Sequence, residues 1–229
     1  MNINIKSDER DAIFVHIFFV SICLIVLLFP IKLPIGIKLF TLVIIYNIII
    51  PIVGIWRNYI EWIKIWLFSL ILSVFQIFPD WILSAQLNVL VFPEDGLFKI
   101  GTVSGYMLFL WVIPFFIIIF TGEHIYKRSS EKITYIFVIF LSFLIFGVSE
   151  MTIWTIGSWY AQNVFMILNI AIYIIIPEII LGVTTFWSYT KTKESKIIEK
   201  ISVAFLIMLI YLGSAVFFYF LIEKVILLH

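Results

Sequence analysis

Charge is scarce in this sequence. Asp, Glu, Lys and Arg together make up 13% of 229 residues, about half the share found in a soluble domain. The formal balance of +1 leaves no basic footprint for DNA or RNA, so nucleic acid is excluded as a partner. A single cysteine, Cys23, excludes an internal disulfide. The histidines His16, His124 and His229 are scattered along the chain, so no metal-ligand cluster is expected. Neither a Gly-rich phosphate loop nor a Gly-x-Ser-x-Gly elbow is present, and no cofactor is expected. Low-complexity tracts are missing too, and the longest polar linker is 190–200.

Apolar bulk stands in the place of charge. Hydrophobic residues make up 63% and aromatic residues 18%, with a mean hydropathy of +1.17. A soluble globule of this length buries about 70% of its surface and would still present large greasy patches to water. The composition is that of a polytopic membrane protein. Helices are the expected spans, because each satisfies its own backbone, and these runs are too long and too uniformly apolar for barrel strands. A crossing takes about 20 apolar residues, and the segments 12–29, 37–56, 62–78, 101–120, 132–149, 163–189 and 201–222 meet that need. They predict an all-α bundle of seven transmembrane helices forming one integral-membrane domain over 1–229.

The first segment follows Lys6 and Arg10, as in a signal peptide. Its apolar run is longer, however, and Leu28-Phe29-Pro30-Ile31-Lys32-Leu33-Pro34 replaces a small-x-small cleavage site, so it is read as a retained helix. Seven helices raise the possibility of a retinal protein. That requires a lysine mid-way along the seventh helix, and 201–222 has none, with Lys224 at the rim. Two stretches, 81–92 and 151–163, are too short to cross and too apolar for open loops. Rich in Trp and Tyr, they predict interfacial or re-entrant pieces. Within them, Ala85-Gln86-Leu87-Asn88-Val89 and Ala161-Gln162-Asn163-Val164 echo each other.

Loop charges set an expected orientation. Eleven basic residues fall on the N-terminal side: Lys6, Arg10, Arg57, Lys64, Lys127, Arg128, Lys132, Lys191, Lys193, Lys196 and Lys200. Four fall on the other: Lys32, Lys38, Lys99 and Lys224. The positive-inside rule then places the N-terminus in the cytoplasm and the C-terminus on the opposite side. The acids among the cytoplasmic bases read as ordinary loop charge. Asp80, Glu94, Asp95, Glu150, Glu178 and Glu223 lie in the other half, where cations are few.

Glu178 is the most unusual of these. It sits about fifteen residues into the sixth segment, just after Pro177, and a carboxylate near mid-bilayer costs at least about 2.5 kcal/mol. Either it hydrogen-bonds a neighbouring helix, through Asn47 or Asn169 for example, or it does chemistry. Asp80 and Glu150 end the third and fifth segments on the same side and precede Trp-bearing pieces, and Glu94-Asp95 stands before the fourth. Trp81, Trp111, Trp154, Trp159 and Tyr160 gather in the same half, and Tyr173 lies one turn before Pro177. Carboxyl groups in an aromatic-lined, dry site suit protonation of an alkene, because the acid supplies the proton and aromatic faces stabilise the cation. Glu223, beside Lys224, reads as an interfacial anchor.

The stretch Phe92-Pro93-Glu94-Asp95-Gly96-Leu97-Phe98 is similar to the Pro-x-Glu-Glu-x-x-Phe motif of small integral-membrane lycopene cyclases, and Ile113-Pro114-Phe115 and Glu123 resemble the run and the Glu that follow it. Asp95 replaces the second Glu, the residue between Pro and the first Glu is missing, and about a dozen extra residues precede Ile113. The resemblance covers about 30 residues. It implies non-redox acid/base cyclisation of a polyene and carries over Glu94 and Asp95 as functional carboxylates. Size and helix number also suit small membrane terpene cyclases.

The expectation is a membrane isomerase or cyclase acting on an isoprenoid or carotenoid lipid. Glu94, Asp95, Glu178, Glu150 and Asp80 would be the acid/base and cation-stabilising groups, and Trp81, Trp111, Trp154, Trp159 and Tyr173 the substrate walls. The alternatives are a small proton-coupled transporter working through Glu178 beside Pro177, and a non-catalytic membrane assembly subunit.

Overall fold

The computed structural model describes residues 6–30 and 32–227, and His229 lies outside the described residues. The helices are α1 (Ser7–Leu28), α2 (Ile35–Trp56), α3 (Ile60–Trp81), a short α4 (Met107–Leu110), α5 (Val112–Tyr126), α6 (Glu131–Thr152), α7 (Ile172–Thr192) and α8 (Ile197–Tyr219). α4 and α5, joined at Trp111, act as one span, Met107–Tyr126, so seven helices are long and apolar enough to cross a membrane. Wider π-type turns prolong α3 over Ile82–Gln86 and α8 over Phe220–Ile226. The architecture is an all-α helical bundle.

Helix ends divide the bundle into a near face, which carries the start of α1, and a far face. Ion pairs stitch the near face together. Arg57 and Tyr59 both reach Asp11 (2.7 and 2.9 Å). His124 meets Asp8 at 2.9 Å, and Lys193 meets Glu123 at 3.0 Å. Lys64 joins Glu61 and Glu194, and Arg128 joins Glu9. Beside Lys64 the Glu194 carboxyl is held below the usual carboxylate range.

The interior centres on α3, α5 and α7, where Phe68, Leu72, Phe115, Ile118 and Leu181 are wholly buried. With no hydrophobic force between helices in lipid, close backbone approach supplies the dispersion contact that holds them. Gly182 is such a point. A Cβ there would sit 1.9 Å from Ser142 Oγ and 2.6 Å from Ser142 Cβ, so α6 and α7 touch through the missing side chain.

On the far face the two interfacial stretches do not lie apart. Strand β1 (Leu90–Val91) of the first pairs antiparallel with β4 (Tyr160–Ala161) of the second, and two local hairpins follow them in the chain, β2 (Lys99–Ile100) with β3 (Val103–Ser104) and β5 (Met166–Ile167) with β6 (Ile170–Ala171). The echoing segments pair with each other. Gln162 N donates to Val89 O at 2.9 Å, and Gln162 Nε2 to Asn88 Oδ1 at 2.7 Å. A 2.7 Å bond between the Tyr106 and Ser158 hydroxyls ties the second stretch to the start of the fourth span as well.

These ribbons also correct two span boundaries. The fourth span starts at Met107 and not near residue 101, because Gly101 (φ +61°) turns β2 into β3 under the Trp81 ring. The sixth starts at Ile172 and not at 163, because Leu168 and Asn169 (φ 52° and 65°) close the β5–β6 hairpin.

The α6–α7 contact predicts that Gly182→Ala lowers stability by about 1–3 kcal/mol through overpacking. Ser142→Gly in the same chain should restore part of the loss. Thermal unfolding in detergent reads both, and a double variant no more stable than Gly182→Ala alone would contradict the contact.

Candidate functional site

Asp80 follows Pro79 near the end of α3, and Glu150 lies in the last turn of α6. Glu178 lies in the second turn of α7, after Pro177. Counted from Ile172 it is about 9 Å along the helix axis, so it belongs to the far half of the bundle and not to mid-bilayer as the longer expected span implied. Pro177 offers no N–H to the Tyr173 carbonyl one turn back.

These three carboxyl groups line one cavity of about 230 Å³ in the far half. Its side walls include Trp111, Phe146, Tyr173 and Tyr211, and the paired stretches roof it with Leu90, Phe92, Trp159 and Ala161. No Lys, Arg or His lines it.

The carboxyl groups meet donors of one kind or none. Trp111 Nε1 donates to Asp80 Oδ2 at 3.2 Å, and Trp159 Nε1 donates to Glu150 Oε1 at 2.9 Å. Asp80 is 2% and Glu178 4% exposed, whereas Glu150 is half-buried. Glu178 makes no hydrogen bond among the described residues, and none of the three joins a salt bridge. Behind the roof, burial pushes the Tyr106 hydroxyl up to about 12, so it stays neutral in the cap. An acidic, aromatic cavity without a cationic side chain favours a positive charge developing inside it.

Of the expected site residues, Asp80, Glu150, Glu178, Trp111, Trp159 and Tyr173 come together here. Glu94 and Asp95 do not. Glu94 is exposed and pairs with Lys99 at 2.9 Å. Asp95 is buried, but as the keystone of a turn: Oδ1 accepts from Leu97 N at 3.0 Å, Oδ2 accepts from Ser104 Oγ, and its backbone carbonyl accepts from Gly36 N at 2.9 Å. Glu123, matched to the motif's later Glu, is at the near face with Lys193. Trp81 covers Gly101 outside the cavity, and Trp154 lies on the surface beyond Glu150.

Hydrogen bonding to Asn47 is not what holds Glu178, since Asn47 bonds Trp66 and the Phe109 carbonyl instead. Glu223 is more than an anchor, because it is buried and its Oε1 accepts from Phe165 N at 3.0 Å. Phe92, Phe146 and Tyr211 were not singled out. Tyr211 carried one usable signal, its place on the buried α8 stripe Ala204, Ile207, Tyr211, Ala215.

If the indole is what satisfies Asp80, Trp111→Phe should cost about 1–3 kcal/mol by orphaning a buried acceptor. The same change should cost less in an Asp80→Leu background, where no acceptor remains. Unfolding midpoints of the four proteins measure this, and equal losses in both backgrounds would remove the bond from the account.

A family model described as "Domain of unknown function (DUF6989)" matches residues 77–222. No curated protein and no solved structure matches the chain. The match begins just before Asp80, takes in every residue that lines the cavity, and leaves out α1, α2, most of α3 and the chain from Glu223 on. Spanning well over half of the 229 residues, it places this chain in the DUF6989 family.

Proposed function

We propose that the protein is an integral-membrane enzyme that uses carboxyl groups for non-redox acid/base chemistry on a lipidic substrate of isoprenoid type, by cyclisation, hydration or isomerisation. One observation carries this reading: three carboxyl groups without a counter-cation share a single apolar, aromatic-walled cavity inside a membrane bundle. Glu178, free of hydrogen bonds, is the group best placed to give a proton to an alkene carbon. The π electrons form the new C–H bond and leave a carbocation beside the carboxylate. Trp111 and Tyr211 present aromatic walls to that cation. Asp80 and Glu150, each steadied by an indole N–H, offset its charge, and either can take the proton lost when a ring or new double bond forms. The similarity of 92–98 to the lycopene cyclase motif supports the substrate class, although Glu94 and Asp95 themselves serve a turn.

Proton-coupled transport is the second reading, favoured by Pro177 beside Glu178 on α7. The enzyme reading is preferred because Phe115, Ile118 and Leu181, wholly buried, fill the bundle on the near-face side of the cavity. The excess of basic residues at the near face supports a cytoplasmic N-terminus, which puts the cavity in the outer half of the membrane.

Expression in a lycopene-accumulating host tests the carotenoid case. A changed pigment, reduced at least about 100-fold in Glu178→Gln, would assign the carotenoid case. Unchanged pigment with the wild-type chain would remove carotenoid cyclisation. Uptake into proteoliposomes driven by a proton gradient, and abolished by the same substitution, would favour the transporter.

A further inference from the structure

A second hollow of about 350 Å³ lies outside the cavity on the far face. Its walls are the turn Ile153–Ile156 with Trp154, the strand residue Tyr160, and the β5–β6 hairpin with Met166 and Asn169. Glu150 and Ala161 line both hollows. The half-buried carboxyl of Glu150 therefore stands at the neck between an inner chamber and an outer groove. Glu223 fixes the root of the hairpin wall through Phe165 N.

The rim of the groove is apolar and exposed. Trp154, Tyr160, Phe165, Met166 and Leu168 all present large side chains outward, and Trp and Tyr favour the headgroup level of a bilayer. The mouth of the groove therefore suits an amphiphile at that level. Its polar groups are few. Oε1 of Glu150 is taken by Trp159, whereas Oε2 makes no hydrogen bond, and neither does the Asn169 side chain.

Charge decides what can sit there. Phosphate groups are recognised by Arg, Lys or a bound divalent cation. No Lys, Arg or His lines either hollow, and no group of ligands able to hold a metal occurs among the described residues. A diphosphate placed beside Glu150 would meet like charge. A hydroxyl finds an acceptor in Oε2 and both an acceptor and a donor in Asn169.

We infer that groove and cavity form one continuous site for a neutral, single-headed isoprenoid amphiphile of the prenyl-alcohol class. Its hydroxyl rests at Glu150 and Asn169, and its unsaturated tail runs past the neck to Asp80 and Glu178. This rests on the acid/base reading of the cavity and adds to it the substrate's head group and the side from which it enters. The internal alkenes, and not the head group, are then what the deeper carboxyls reach.

The test uses the full chain in nanodiscs, with binding read by native mass spectrometry. Geranylgeraniol, geranylgeranyl diphosphate and the headless hydrocarbon phytane are compared as probes. Geranylgeraniol should bind at least about tenfold more tightly than either of the others. Ala161→Phe, which plugs the neck, and Met166→Trp, which narrows the exposed groove, should each abolish that binding. Met166 is on the surface, so this variant keeps the test open should the neck variant fail to fold. Glu150→Leu should erase the preference for the alcohol over phytane. Diphosphate binding as tight as the alcohol's, or alcohol binding that survives Met166→Trp, would overturn the inference and leave the acid/base reading standing. Failure of all three probes to bind would overturn the inference, whereas the acid/base reading stands or falls on lipid conversion by the wild-type chain and its loss in Glu178→Gln.

Discussion

A carboxyl group taken out of water must find a cation, a hydrogen-bond donor or a proton. The two faces of this bundle meet that constraint differently. At the near face Asp8, Glu9, Asp11, Glu123 and Glu194 each sit against a basic side chain drawn from another helix or turn. Those pairs tie helix ends together where water is at hand. In the far half Asp80, Glu150 and Glu178 have no cation, and two indole N–H groups are the donors they receive. The near face thus pairs these acids with cations, whereas the cavity in the far half holds three carboxyl groups with none. That asymmetry is what supports the acid/base reading proposed for the cavity.

The roof is what makes the asymmetry possible. Without it, the ends of α3 and α6 and the start of α7 would open to headgroup water, and three carboxyls would be solvated. Strands β1 and β4 and the Asn88–Gln162 contact draw together two stretches some 70 residues apart, and the Tyr106–Ser158 bond ties the second to the start of the fourth span. The same ribbon contributes Leu90 and Ala161 to the cavity, and Ala161 and Glu150 also line the outer hollow, so the element that covers the cavity borders both spaces.

Much of the site was legible as chemical anomaly. Asp80, Glu150 and Glu178 stand out because a charged residue in an apolar run is costly and therefore informative. The same logic went astray at Glu94 and Asp95. They lie in a Pro-Glu-Asp-Gly turn, where one carboxylate reaches water and Lys99 while the other caps the backbone of its own loop. Composition cannot separate an acid that binds its own turn from one that faces a cavity. Trp81 and Trp154 illustrate the same limit among aromatics, since an indole at the interface can face a glycine, lipid or substrate with the same local sequence.

The amino-acid sequence by itself determined the seven-span, all-α bundle, because backbone satisfaction in lipid leaves little choice once long apolar runs are present. It also determined which half of the chain is poor in cations. Only the tertiary structure decided that the echoing segments pair, that α7 starts late enough to bring Glu178 to the level of Asp80, and that Glu150 stands between two hollows. Each of these depends on contacts between residues far apart in the chain and on positive-φ turns at Gly101, Leu168 and Asn169, which hydropathy averages away.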